Sequence, residues 1–175
     1  MAVTDIKTGK PVYPKLTDGS RKELEWMRAS ASMPLVSRPV EIDGGEYLDG
    51  GMTDSVPLQF LESVGYKRNV VILTQPRDYV KSPNKLMWLM RIALRKYPKL
   101  LDAMANRHKM YNDETRYVFE QEKLGNVLVL CPDEPLGISR TEKDTSELQR
   151  VYDMGRKLAL ERLDEIKKFL AGENG

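Results

Sequence analysis

The chain has 175 residues and a net charge of +2, which results from 28 lysines and arginines and 26 aspartates and glutamates. Its length suits one domain with a substantial core, and its composition is that of a globular protein, which excludes disordered and fibrous chains. The chain has a single cysteine, which excludes an intramolecular disulfide. It also has a single histidine, and one residue of each kind excludes the usual Cys/His zinc patterns.

The sequence also lacks the signals of several binding and targeting classes. It contains no calcium loop, so we predict neither a metal nor a cofactor. It contains no helix-turn-helix signature and no RNA-binding strand motif, so we predict no nucleic-acid partner. Residues 1–10 lack the apolar core of a signal peptide, and no apolar run approaches the length of a membrane span. These features favour a cytoplasmic protein, with peripheral attachment to a membrane as an open alternative.

The first predicted elements are a helix and a hairpin. Residues 20–23 fit a capping box, and the helix that begins there should run to Ser30. Two short strand-forming runs, 39–42 and 46–48, flank an Asp-Gly-Gly triplet that begins at Asp43. Because Asp-Gly is a favoured hairpin turn, we interpret Asp43 as a turn residue.

A second Asp-Gly-Gly triplet, Asp49-Gly50-Gly51, follows the second strand of this hairpin. After it, Asp54 or Ser55 can cap another helix that ends at Gly65. Asp49 is therefore expected at a strand end, beside backbone that carries no side chains. Catalytic carboxylates are often found at such positions. The alternative interpretation is that the second triplet is only another structural turn.

The rest of the chain predicts a parallel sheet with covering helices. Two unbroken apolar runs, 69–74 and 126–131, have the pattern of strands buried on both faces. Four helices are predicted: 84–95, 98–110, 113–124 and 144–170. We therefore predict an α/β fold with three layers, αβα, around a mainly parallel sheet. It is expected to form a single domain over residues 1–175, with a flexible tail at 171–175.

A block around the second triplet carries a family resemblance. It reads Arg28-Ala29-Ser30-Ala31-Ser32-Met33-Pro34-Leu35-Val36, then Tyr47-Leu48-Asp49-Gly50-Gly51, then Val56-Pro57-Leu58. The block resembles the second signature block of the patatin-like phospholipases, which are acyl-ester hydrolases of phospholipase or lysophospholipase type. In that family an Asp of a DG[GA] motif pairs with a Ser of a GxSxG motif, and a glycine-rich loop supplies the oxyanion hole. The resemblance implies that Asp49 is catalytic, that Gly50 and Gly51 support the site, and that the substrate is a lipid or another acyl ester.

The chain departs from that family because two motifs are missing. Neither GxSxG nor a glycine-rich oxyanion loop occurs in the 175 residues. By this resemblance, residues 2–13 correspond to a strand and turn in the middle of the domain. We therefore expect the C-terminal portion of a patatin-like domain, which would be incomplete. The parent protein is expected to be a serine-dependent lipid hydrolase. The chain alone is expected to be inactive, because the nucleophile and the oxyanion hole are absent.

Ser30, Ser32 and His108 are weaker candidates for catalysis. Neither serine stands on a glycine-flanked strand-to-helix elbow, so both are expected to pack near a helix end. His108 lies between Arg107 and Lys109 on a predicted helix, and we interpret it as a surface histidine. A chain with one histidine does not favour a Ser-His-Asp triad, but it suits a Ser-Asp dyad.

The segment 85–97 supports a second hypothesis from a different functional class. It joins a nearly all-round apolar helix, which contains Trp88, to a cluster of cations. Lys99, Arg107 and Lys109 extend this charge. Such a region suits an anionic membrane surface, so the alternative function is a non-catalytic α/β module that binds a lipid surface or a protein partner through residues 85–109. The interpretation that we favour is a crossover helix packed on the sheet. A further prediction is a homo-oligomer formed through an uncovered sheet edge.

Overall fold

A computed structural model describes residues 1–139 and 141–172, which fold as two compact units. The first unit contains Met1–Pro57 and Lys81–Thr115, and the second contains Leu58–Val80 and the chain from Arg116 onward. Six strands are described: β1 (Val3–Asp5), β2 (Lys10–Val12), β3 (Val40–Ile42), β4 (Gly45–Asp49), β5 (Asn69–Ile72) and β6 (Val127–Leu130). Six α-helices are described: α1 (Arg21–Ser30), α2 (Leu58–Ser63), α3 (Met87–Ala93), α4 (Pro98–Lys123), α5 (Thr145–Glu161) and α6 (Leu163–Ala171).

The first unit is built on a four-stranded antiparallel sheet with the strand order β2-β1-β4-β3. Short turns join β1 to β2 and β3 to β4, and strands joined in this way pair antiparallel, because a parallel pair needs a crossover of a dozen or more residues. In the register of the sheet, Val3 of β1 lies opposite Asp49 of β4. The prediction of a mainly parallel sheet is not confirmed, because the larger sheet is antiparallel.

The turn between β3 and β4 has the conformation that its sequence predicts. Asp43 has a φ of +50° and Gly44 a φ of +78°. Two consecutive positive φ angles define the type I′ hairpin turn, which matches the twist of the strands on either side. The Asp43 carboxylate is exposed and pairs with Lys22 at 2.5 Å. The interpretation of Asp43 as a turn residue is therefore confirmed.

Helix α1 begins at the predicted capping residue. The Ser20 hydroxyl accepts a hydrogen bond of 3.3 Å from the Glu23 N–H, as an N-cap does. The Glu23 carboxylate in turn accepts from the N–H groups of Asp18 at 3.1 Å and Gly19 at 2.7 Å. The bond to Ser20 satisfies a donor that the start of a helix leaves unpaired, and the bonds to Glu23 hold the chain just before the cap, which explains why the helix begins where the sequence predicts.

The sheet of the first unit is covered on both faces. One core contains Ile6, Leu48, Met52, Leu100 and Met104, and residues of α3 and the following turn pack against it. The other core contains Val3, Ala29, Val40 and Ile42. Tyr47 and Leu48 are neighbours on β4 but pack in different cores, because successive side chains of a strand point to opposite faces. Helix α1 therefore covers one face, and α3 with the beginning of α4 covers the other.

The second unit contains the parallel strands that the apolar runs predict. Strand β5 pairs parallel with β6, and Asn69 lies opposite Val127. Phe169 of α6 packs with Leu128 and Leu130 of β6 in a small core. The parallel pairing is confirmed, but it involves two strands and not the larger sheet.

Two helix predictions need correction. The predicted helices 98–110 and 113–124 form one continuous helix, α4, because neither glycine nor proline interrupts the sequence between them. The predicted helix 144–170 is divided into α5 and α6 at Arg162, whose Nη1 donates to the Val129 carbonyl at 2.6 Å. Most of the predicted tail, 171–175, lies outside the described residues, which end at Gly172. None of the helices in the described ranges has the length and hydropathy of a membrane span.

Replacing Leu100 by alanine should destabilise the first unit strongly. Leu100 is fully buried between α4 and the sheet, so Leu100→Ala removes apolar contacts and leaves a cavity. We expect the free energy of unfolding to fall by about 2–5 kcal/mol, measured by urea denaturation. The matched control is Leu24→Ala on α1, where the leucine is 55% exposed and the loss should be below about 0.5 kcal/mol. Equal losses in the two variants would contradict the described packing.

Candidate functional site

Asp49 is the last residue of β4 and the N-cap of a 3-10 turn formed by Gly50–Met52. Its Oδ1 accepts a hydrogen bond of 2.7 Å from the Gly51 N–H. Its own N–H donates to the Ser32 carbonyl at 2.9 Å. A carboxylate is favoured at this position because it accepts hydrogen bonds from N–H groups that the turn leaves unpaired. The half-buried Asp49 is thus fixed in orientation, while it stays partly open to solvent.

Thr4 holds the carbonyl group of Asp49 from the neighbouring strand. Its side chain is fully buried, and its Oγ1 donates to the Asp49 carbonyl at 2.8 Å. Since the only hydroxyl proton of Thr4 is used in this bond, the Thr53 hydroxyl donates in the 2.8 Å bond between the two threonines. Strand β1 therefore fixes both Asp49 and the end of the turn that follows it.

The two glycines after Asp49 have different surroundings. A β-carbon added to Gly50 would lie 2.4 Å from the carbonyl oxygen of Ala2, a backbone atom of the residue just before β1. A β-carbon added to Gly51 would lie 3.1 Å from Asp49 Oδ1 and 3.5 Å from Arg107 Nη2. Gly50 is therefore required by the close contact of two backbones. Gly51 lies beside the carboxylate itself.

Helix α4 reaches this turn through Arg107. Its Nε donates to the Gly51 carbonyl at 2.5 Å, and the Ser55 hydroxyl donates to the same carbonyl at 2.9 Å. A hydrogen bond from a charged guanidinium is stronger than one between neutral groups. Gly51, which donates to the Asp49 carboxylate, is therefore held by the charged side chain of Arg107 on α4.

A cluster of acidic groups lies just beyond the turn. The Glu114 carboxyl accepts from the N–H groups of Ser55, at 3.1 Å, and Val56, at 3.2 Å. Burial, with the charge and hydrogen bond of Asp54, raises the pKa of the Glu114 carboxyl to about 8. The Tyr13 hydroxyl donates to Asp54 Oδ2, and burial with this bond raises the pKa of Tyr13 well above its usual range. At neutral pH Glu114 therefore mostly keeps its proton.

The other residues singled out by the sequence have structural contacts. The Ser30 hydroxyl donates to the Ala2 carbonyl at 2.9 Å, and the Ser32 hydroxyl donates to the Arg28 carbonyl at 2.8 Å. Both serines thus lie at the end of α1, as predicted. His108 is half-buried, and within the described ranges its Nδ1 is a buried atom with no hydrogen-bond partner. The interpretation of His108 as a surface histidine is corrected on this point.

The sequence did not reveal Arg107, Glu114 or Tyr13 as neighbours of the site. Arg107 and Glu114 are separated from their partners on the loop by 56 and 59 residues. Their side-chain types are ordinary on a helix, so no local pattern marks them. A possible signal was the spacing of seven residues, which places both on one face of a helix. In residues 1–139 and 141–172, no group of three or more His, Cys, Asp or Glu side chains could hold a metal ion.

Comparison with known proteins bears on the segment that contains Asp49. Residues 8–61 match the family model of patatin-like phospholipase. This match includes Asp49, Gly50 and Gly51, and it supports the family that the sequence resembles, a family of lipid hydrolases. Residues 97–171 match a different model, described as a domain of unknown function (DUF6363). Arg107 and Glu114 lie in this second match.

The chain is also similar to a curated protein of Escherichia coli (strain K12). It is 27% identical over 152 residues to the protein named uncharacterized protein YjjU. The aligned region covers 84% of this chain and 42% of that protein. The chain thus spans less than half the length of this relative.

The raised pKa of Glu114 predicts a specific dependence of stability on pH. The folded protein binds the Glu114 proton more tightly than the unfolded chain, whose glutamate has its ordinary pKa of 4.5. This stabilisation is fully present below about pH 4.5 and is lost as the pH rises toward about 8. We expect Glu114→Gln to lose less stability than the wild type between these two pH values, measured by urea denaturation across the range.

The control for this experiment is Glu120→Gln, since Glu120 is an exposed glutamate of the same helix. Its stability should follow that of the wild type across the pH range. Parallel curves for the wild type and Glu114→Gln would show that Glu114 titrates normally.

Proposed function

We propose that the chain is part of a patatin-like acyl-ester hydrolase in which Asp49 is the general base of a Ser-Asp dyad. The observation that supports this proposal is the geometry of Asp49. Its Oδ1 is held by the Gly51 N–H at the end of a strand, and the residue remains half-buried in the segment that matches the patatin-like family. Gly50 and Gly51 support the site through the close packing of their backbone.

The chemistry of such a dyad assigns one task to Asp49. A serine hydroxyl attacks an ester carbonyl when a base takes its proton, and a carboxylate within hydrogen-bond reach can take it directly. Because Oδ1 accepts from Gly51, the other oxygen of Asp49 would receive the proton and pass it to the departing alcohol. Water then attacks the acyl-enzyme, again losing a proton to Asp49. The substrate is a lipid or another acyl ester.

On this proposal the nucleophile lies outside the 175 residues. They contain no GxSxG motif and no glycine-rich loop, and the 152 residues that align with the curated relative cover 42% of its length. A base without a nucleophile and an oxyanion hole cannot complete the attack. We therefore expect the chain alone to be inactive, as the C-terminal portion of a patatin-like domain.

The role of Asp49 is tested by substitution in a polypeptide that includes both a GxSxG segment and this chain. Asp49→Asn should lower kcat for short-chain nitrophenyl esters by about 10²–10⁴-fold, because the amide cannot accept the serine proton. The control is Asp43→Asn in the first Asp-Gly-Gly triplet, which should keep wild-type activity. Full activity of Asp49→Asn would refute the assignment, and ester hydrolysis by the 175-residue chain would refute its expected inactivity.

A second candidate function follows from the exposed side of α3. Met87 and Met90 pack against the core, whereas Trp88 is 63% exposed and Ile92 is 65% exposed. The helix thus packs against the core beside the antiparallel sheet of the first unit, not on the parallel strands, and it leaves large apolar side chains in solvent. We call Trp88, Leu89, Ile92, Arg91, Arg95 and Lys96 the α3 surface; all six are exposed.

The charge around the α3 surface favours an anionic partner. Residues 81–101 contain six lysines and arginines and neither aspartate nor glutamate. Since the whole chain has a net charge of only +2, the rest of the chain is net negative. Exposed apolar side chains surrounded by cations suit an anionic bilayer, where each cation near the lipid surface contributes about 1 kcal/mol. The α3 surface would place the protein at the periphery of a membrane.

Membrane binding is tested by co-sedimentation with vesicles of neutral phosphatidylcholine, with and without anionic phosphatidylserine. We expect salt-sensitive binding to the anionic vesicles, weakened at least tenfold when Arg91, Arg95 and Lys96 are changed to glutamate. The control changes Lys157, Lys167 and Lys168, exposed lysines of α5 and α6, to glutamate. Absence of binding at low salt would exclude this function. A mass in light scattering that rises with concentration would instead show the predicted self-association.

A further inference from the structure

Helix α4 contacts the loop after Asp49 at two separate points. Arg107 Nε donates to the Gly51 carbonyl at 2.5 Å, and Glu114 accepts from the N–H groups of Ser55 and Val56. The two residues are seven positions apart, which is about two turns or 10 Å along a helix, on the same face. One side chain holds the beginning of the loop and the other holds its end.

The loop between these two contacts is closed by its own hydrogen bonds. The Gly50 carbonyl accepts from the N–H groups of Thr53 and Asp54, each at 2.9 Å. The Ser55 hydroxyl donates to the Gly51 carbonyl at 2.9 Å, next to the bond from Arg107. A displacement of Ser55 is therefore transmitted directly to Gly51, which donates to Asp49 Oδ1.

We propose that Arg107 and Glu114 are positioning residues that hold the loop of residues 50–56 and thereby fix the carboxylate of Asp49. We call this pair the α4 clamp. It adds an anchor outside the loop, because the hydrogen bonds within the loop hold it to itself, whereas Arg107 and Glu114 hold it to α4. The catalytic importance of this orientation rests on the proposed function of Asp49.

The α4 clamp also connects the two segments that match family models. Asp49 and its glycines lie within 8–61, and both clamp residues lie within 97–171. In this chain, the segment described as a domain of unknown function therefore acts on the candidate site of the patatin-like segment. The chemistry of each contact supports this assignment: the Arg107 guanidinium donates to a carbonyl, and the Glu114 carboxyl accepts from N–H groups.

The clamp is tested by amide hydrogen exchange, measured by NMR on the 175-residue chain. Arg107→Ala and Glu114→Ala should each raise the exchange rates of the Asp49 and Gly51 amides at least tenfold. The amides of hairpin residues 40–47 should change much less, because the effect is confined to the loop and the strand end beside it. The conservative variants Arg107→Lys, which keeps a cationic donor, and Glu114→Gln, which keeps an acceptor, should restore most of the protection.

Matched controls and alternative variants make the result decisive. Lys109→Ala and Glu120→Ala change exposed residues of the same helix and should leave all these rates unchanged. If an alanine variant does not fold, Arg107→Leu and Glu114→Leu keep aliphatic packing and remove the polar contact. Unchanged rates at Asp49 and Gly51, or an equal increase throughout the hairpin, would overturn the proposal. This experiment needs no activity, so it is independent of the ester assay of Asp49→Asn.

Discussion

The pairing of β1 with β4 is the constraint on which the candidate site depends. Val3 lies opposite Asp49, and the next residue of β1, Thr4, holds the Asp49 carbonyl and contacts Thr53. A fully buried hydroxyl must have partners, so the position of Thr4 in the core requires the turn to lie where it does. The carboxylate of Asp49 is thus placed by a strand that is distant in sequence.

Local sequence signals predicted the elements around the site well. The capping residue Ser20, the turn at Asp43 and the parallel pair of apolar strands all act through neighbouring residues or through a simple apolar pattern. The position of Asp49 at a strand end followed from the same reasoning. These features depend on short-range chemistry, which a single sequence contains.

Other features depend on contacts between distant residues and could not be predicted in this way. The antiparallel sheet requires β1 to pair with β4, more than 40 residues later, and the short β1 gives little signal of its own. Arg107 and Glu114 contact the loop only because α4 is continuous and packs beside it. The apolar pattern of α3 does not show which side packs, and in the structure Met87 and Met90 contact the core while Trp88 is exposed. In each case the outcome depends on tertiary packing, which local sequence patterns do not contain.

The different surroundings of Gly50 and Gly51 give separate physical reasons for the two glycines that follow Asp49. A β-carbon at Gly50 would lie 2.4 Å from the backbone carbonyl oxygen of Ala2, the residue just before β1, and this main chain is held in place by the paired strand that follows it. A β-carbon at Gly51 would lie 3.1 Å from Asp49 Oδ1, the oxygen that accepts from the Gly51 N–H, so relieving this contact would disturb that hydrogen bond. The same added methyl group would therefore act on different properties of the protein: on the packing of two main chains at Gly50, and on the orientation of a carboxylate at Gly51.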